Sequence, residues 1–192
     1  MKMNREAIAA GTVVALLFVV AAAAVAATPR GWAAVKAETA KYHRVDAAIA
    51  AGYTIEGEPC IEEAPGAMGI HAVNLALMPP PGPTVDPLRP QILLYLPQAN
   101  GSLRLVGVEY FMVALVNTPD GPAPWFSHDD PRDQGLTFFN PAPSVLGQTF
   151  DGPMAGHNPE MPWHYDLHVW LWAHNPDGLF APFNPALSCP AG

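Results

Sequence analysis

The chain predicts a mostly β fold (α+β): a curled antiparallel sheet or small barrel with one N-terminal helix packed on it, a β-sandwich being the alternative. Three observations carry this expectation. One stretch, residues 34–51, repeats its apolar residues at helical spacing. Four others, 69–78, 91–96, 103–116 and 164–172, are apolar or alternating over strand length. Asn100-Gly101, a hairpin turn signal, joins the second of these to the third.

Taken in order, the chain opens with Lys2 and Arg5, then an apolar run from Ala7 to Ala27 in which Ala24-Val25-Ala26 supplies small residues. That order of charge, apolar run and small residues is the pattern of a secretory signal. The expectation is a signal peptide over 1–27 and a single mature domain over 28–192, secreted or periplasmic. The alternative is an uncleaved segment that anchors the protein in a membrane, since the run is about long enough to span one. After cleavage no stable membrane insertion is expected, because no later stretch is long and apolar enough.

The whole chain has 9 Lys and Arg against 17 Asp and Glu, and its basic residues form no stripe. Nucleic acid is therefore excluded as an expected partner. There are two cysteines, Cys60 and Cys189. In an oxidising compartment an even pair reads as a disulfide, and no Cys-x-x-Cys is present for redox chemistry.

The helix over 34–51 places Tyr42, Val45 and Ile49 on one side and ends at Gly52. Residues 53–66 read as acidic and irregular. In the strand 69–78, His71, Val73, Leu75 and Leu77 share a face. The prolines of 79–83 end it. The strands 91–96 and 103–116 form the firmest hairpin. Residues 117–147 are proline-rich but hold Trp125, Phe126, Phe138 and Phe139, which argues for an ordered covering loop. Residues 152–162 read as turns. In 164–172, His164, Asp166, His168, Trp170 and Trp172 share one face, and Tyr165, Leu167, Val169 and Leu171 the other. Asn-Pro pairs at Asn140, Asn158, Asn175 and Asn184 mark defined turns.

The chemistry-bearing residues follow from this alternation. Glu109 sits in the most apolar strand, on a face with Leu105, Gly107, Phe111 and Val113. A carboxylate there needs a partner, because an unpaired buried charge is costly. A metal, a histidine or an arginine such as Arg104 or Arg89 would supply one. His71, Glu109 and His168 on neighbouring strands are the expected metal ligands for one divalent transition ion: copper, iron, manganese or zinc. His164 is a candidate fourth ligand, but His164 and His168 lie about 13 Å apart along a strand, so both bind the same ion only if the strand begins after His164. Asp166 and His164 are the expected catalytic groups, orienting a ligand or moving a proton. Trp163, Trp170, Trp172 and Trp125 are candidates for an aromatic pocket wall around a small molecule.

No Gly-x-Ser-x-Gly elbow, phosphate-binding glycine loop, His-Glu-x-x-His or Cys-x-x-Cys-His is present. The leading expectation is a secreted metal-binding protein, a mononuclear oxidase or hydrolase. The alternatives are an extracytoplasmic small-ligand-binding protein without metal and a structural, disulfide-stabilised secreted domain. Histidine and glutamate ligands in a barrel mouth resemble the architecture of cupins. The cupin motif, two histidines one residue apart followed by a glutamate and a later histidine, is absent, so no family is assigned.

Overall fold

The computed structural model describes residues 29–55, 57–78, 85–139, 142–157 and 160–190. The signal-peptide expectation over 1–27 lies outside the described residues, as do Asn140 and Asn158. In the described chain, helix α1 (Pro29–Thr39), a 3-10 turn (Ala40–His43) and helix α2 (Val45–Ala50) precede ten strands. These are β1 (Cys60–Glu63), β2 (Gly66–Val73), β3 (Ile92–Pro97), β4 (Leu103–Val113), β5 (Leu115–Thr118), β6 (Gly121–Pro124), β7 (Ser144–Val145), β8 (Gln148–Thr149), β9 (Asp151–Met154) and β10 (His164–Val169). Six of them form one curled antiparallel sheet, a half-barrel in the order β1-β2-β3-β4-β10-β9. The fold is the mostly β one expected, with helix packed on the sheet; β5-β6 and β7-β8 are separate two-stranded ribbons.

The two faces of the sheet bury different things. One carries Leu93, Tyr95, Leu105, Val108, Tyr110, Leu167 and Val169, and Trp32 and Val35 of α1 pack onto it in the main core. The Trp32 ring meets Tyr110 edge-on with centroids 6.2 Å apart. The opposite face holds a smaller apolar cluster of Ile92, Leu94, Leu96, Val106, Phe111 and Trp170. The same face carries Glu109, Asp166 and His168, all under 3 % exposed. Among the described residues no helix is long and apolar enough to cross a membrane. Cys60 and Cys189 form the expected disulfide, with Cα atoms 5.9 Å apart.

Several element boundaries differ from expectation, each for a local reason. The helix expected over 34–51 begins earlier and breaks. The buried Thr39 hydroxyl donates to the Val35 carbonyl at 2.8 Å, a back-bond that competes with regular helix, and Arg44 is extended. Its far end is as expected. Gly52 has φ +95°, Gly52 N–H donates to Ile49 O, and Tyr53 N–H donates to Ala48 O, a Schellman closure. The strand expected over 69–78 stops at Val73, because Asn74 Oδ1 accepts from Ala76 N–H and its Nδ2 donates to Ala51 O. A turn follows, so Leu75 and Leu77 do not continue the His71 face.

Residues 53–66, expected irregular, contain the edge strand β1, and 152–162, expected as turns, begin with part of β9. The hairpin β3-β4 pairs as expected through the Asn100-Gly101 turn. Its register slips between Leu94 and Tyr95, so Tyr95 faces Leu105 while Leu94 faces Gly107. Val106 is the extra residue of a bulge, which turns Leu105 into the main core and away from Glu109. β4 ends at Val113, not 116, where the chain passes into the β5-β6 ribbon.

Candidate metal centre

Strand pairing sets the site. Between β4 and β10, Glu109 faces His168, Phe111 faces Asp166 and Val113 faces His164. On the other side of β4, Glu109 faces Ile92, which in turn faces Val73, with His71 opposite Leu94. Alternation along each strand puts His71, Glu109, Asp166, His168 and His164 on the face away from α1. His71 starts two strands from Glu109, roughly 10 Å in a flat sheet. Side-chain length and the curl of the sheet close that gap. His71 Nε2 lies 3.2 Å from Glu109 Oε2, and His168 Nε2 lies 3.6 Å from the same oxygen.

One ligand atom from each of His71, Glu109 and His168 falls within 4.8 Å of the others, so this group can hold a metal ion. The remaining pair sits beside it: Asp166 Oδ2 is 3.9 Å from His168 Nδ1 and 3.6 Å from His164 Nε2. His164 is not a member of the three-residue group, in keeping with its distance along the strand from His168. Flat stacking of Phe111 on the His164 ring, centroids 4.7 Å apart and planes 19° apart, fixes that imidazole. The Trp170 ring lies nearly parallel to that of His168 at 6.4 Å.

The polar atoms here are buried and not hydrogen-bonded to one another. Glu109 Oε2, His164 Nε2, Asp166 Oδ1 and both ring nitrogens of His168 have no hydrogen-bond partner among the described residues. The 3.2 Å contact of His71 with Glu109 is short enough for a hydrogen bond but out of line with one. Burial pushes the Glu109 carboxyl up; the charges of His168 and His71, then contact with His71, outweigh it and pull the group down to about 2. Burial pushes His71 down, but the Glu109 carboxylate raises it overall, with Asp166 and Glu58 adding to the same effect. The centre therefore attracts positive charge, whether carried by a protonated His71 or by an ion.

The group forms the floor of a cavity of about 540 Å³. Its walls are aliphatic and phenyl, with Ile61, Val73, Ile92, Phe111, Val113 and Phe126 among them. None of the four expected tryptophans lines it. Trp163 packs in the main core and donates its Nε1–H to Ser127 O, Trp125 packs beside that core, and Trp170 joins the smaller cluster. Trp172 turns to the helix side and meets His43, because β10 ends at Val169 and Trp172 and Ala173 N–H both donate to Val106 O. The aromatic wall is instead Phe111 and Phe126. Phe111 was signalled by its place on the Glu109 face and Phe126 by its covering loop, while Glu58 and Glu160 at the cavity gave no sequence signal as site residues. Of the remaining histidines, His157 lines the cavity, and His43, His128 and His174 are exposed.

Comparison of the chain with protein-family models, with curated proteins and with solved structures finds no match.

Proposed function

We propose that this protein is an exported binder of one divalent transition-metal ion, held by His71, Glu109 and His168, and that it works as a mononuclear metalloenzyme, an oxidase or hydrolase, on a small molecule in the cavity above. One observation carries the reading: three ligand atoms from three strands converge within 4.8 Å, and those of Glu109 and His168 are buried without a hydrogen-bond partner among the described residues. Metal bonds of about 2.1 Å at tetrahedral angles put ligand atoms about 3.4 Å apart. The 3.2 and 3.6 Å separations around Glu109 Oε2 bracket that value. Two histidines and a carboxylate suit copper, iron, manganese or zinc alike. Three protein ligands leave positions open toward the cavity, where a bound water or dioxygen would be activated. Export is supported by the Cys60–Cys189 disulfide, a feature of oxidising compartments.

The test is elemental analysis of the tag-free protein after dialysis, repeated on Glu109→Gln and His168→Ala. The expected result is bound transition metal in the wild type and a loss of affinity of at least about 100-fold in each variant, beyond what disturbing an outer partner of a ligand costs. Circular dichroism should show both variants folded. A protein that takes up no metal on titration overturns the metal reading and leaves the cavity as an apolar small-ligand site, supported by its phenyl and aliphatic wall.

A further inference from the structure

Beside His71, Glu109 and His168 lies a second set of buried polar atoms which that group does not use. His164 is 0 % exposed, and its Nδ1 is 3.1 Å from the carbonyl oxygen of Pro162. A carbonyl only accepts, so Nδ1 carries a proton, and in the neutral ring Nε2 presents a lone pair. That lone pair lies 3.6 Å from Asp166 Oδ2. Two acceptors thus face each other, and neither His164 Nε2 nor the other carboxylate oxygen, Asp166 Oδ1, has a hydrogen-bond donor among the described residues. His168 Nδ1, also buried and unpartnered, borders the same gap at 3.9 Å from Asp166 Oδ2. Buried acceptors arranged so repel one another unless something positive lies between them.

We propose that His164 Nε2 and the Asp166 carboxylate hold a second divalent transition-metal cation, on the Nδ1 side of His168, so that the cavity floor takes two ions. The separation of 3.6 Å is near the roughly 3.4 Å between two ligands of one tetrahedral ion. The charge balance accommodates it. Glu58, Glu109 and Asp166 line the cavity, and among the described residues no lysine or arginine does, so the lining favours added cations. The site is also preorganised, since the Pro162 carbonyl and the stacked Phe111 ring hold the His164 imidazole from two directions. Open positions on the second ion face the cavity shared with the first. The inference rests on the metal reading of the first group and revises its count from one ion to two; it uses separate ligands, because neither His71 nor Glu109 belongs to the second pair.

The deciding experiment is equilibrium dialysis of the full, metal-stripped protein against Zn²⁺, with the bound ion counted by elemental analysis. Two equivalents are expected for the wild type, and one for His164→Gln and for Asp166→Asn. Circular dichroism melts accompany each variant, and His164→Gln carries the test if Asp166→Asn does not fold. One equivalent in the wild type, unchanged in His164→Gln, overturns the second site while leaving the first intact. Two equivalents that survive both variants also overturn it, by placing the second ion elsewhere. No bound zinc in the wild type overturns both readings.

Discussion

Glu109 and His71 are displaced in opposite directions from their ordinary values, and the sign of each displacement fixes a pH dependence. The Glu109 carboxyl falls from 4.5 to about 2, because the histidine charges outweigh its burial. Its contribution to stability is present above 4.5 and is lost as pH falls through about 2. His71 is raised above 6.5, so its contribution is present below 6.5 and disappears as pH rises through the raised value. Without an ion, the pair thus contributes most between 4.5 and 6.5. A metal demands His71 unprotonated, so ion binding releases a proton and tightens over the range where the bare pair weakens. The increase in melting temperature caused by metal should be larger at about pH 8.5 than at about pH 5.5, and His71→Gln should flatten the difference. Equal increases at both pH values in the wild type would show that His71 is not a ligand.

At the level of the strands, the fit of β4 against β10 depends on Gly107. A Cβ at that position would lie 2.8 Å from the carbonyl oxygen of Val169, a backbone atom next to His168 that has little room to give. Gly107→Ala should therefore push the end of β10 outward. The expected cost is about 1–3 kcal/mol, as for overpacking in a core, together with weaker metal retention through the displaced His168. Thermal unfolding and dialysis against a competing chelator check both effects. A variant with wild-type melting temperature and full metal retention would remove Gly107 from the design of the site. The same strands show what the sequence alone could convey. Period-two alternation assigned His71, Glu109, Asp166 and His168 to faces that turn out to be one surface, because that period belongs to the backbone and holds wherever the strand is regular. It failed for Leu105, which a bulge turns over, and for Trp172, which lies past the end of β10. Bulges and strand ends depend on what the neighbouring strand offers, information held many residues away. The break at Thr39 was closer to legible, since a threonine inside a helix always has its own carbonyl back-bond available.

Across the whole molecule, the disulfide and the three residues that could hold a metal ion sit on different elements, so their contributions are separable. Cys60 opens β1, an edge strand of the sheet, and Cys189 lies 129 residues later in the tail, which also pairs with the sheet through Asn184 and Ala67. Glu58, Pro59 and Ile61, at or beside this strand, line the cavity, so the bridge ties down part of the rim. The metal group instead sits on β2, β4 and β10, three strands held by their own ladders and by packing on both faces. Closing so long a loop restricts the unfolded chain and stabilises by up to about 5 kcal/mol in the chain-entropy account, on the order of 10 °C in melting temperature for a domain of this size. The double variant Cys60→Ser/Cys189→Ser should therefore melt lower by that order and bind the first ion with near-wild-type stoichiometry. Adding reductant should lower the wild-type melting temperature toward that of the variant and leave the variant unchanged. Calorimetry and metal counting on the same samples test the two halves together. An unchanged melting temperature would mean that the tail is held by its other contacts. Lost metal with a merely lowered melting temperature would mean that the rim around Ile61, rather than the three ligand strands alone, keeps the histidines and Glu109 in place.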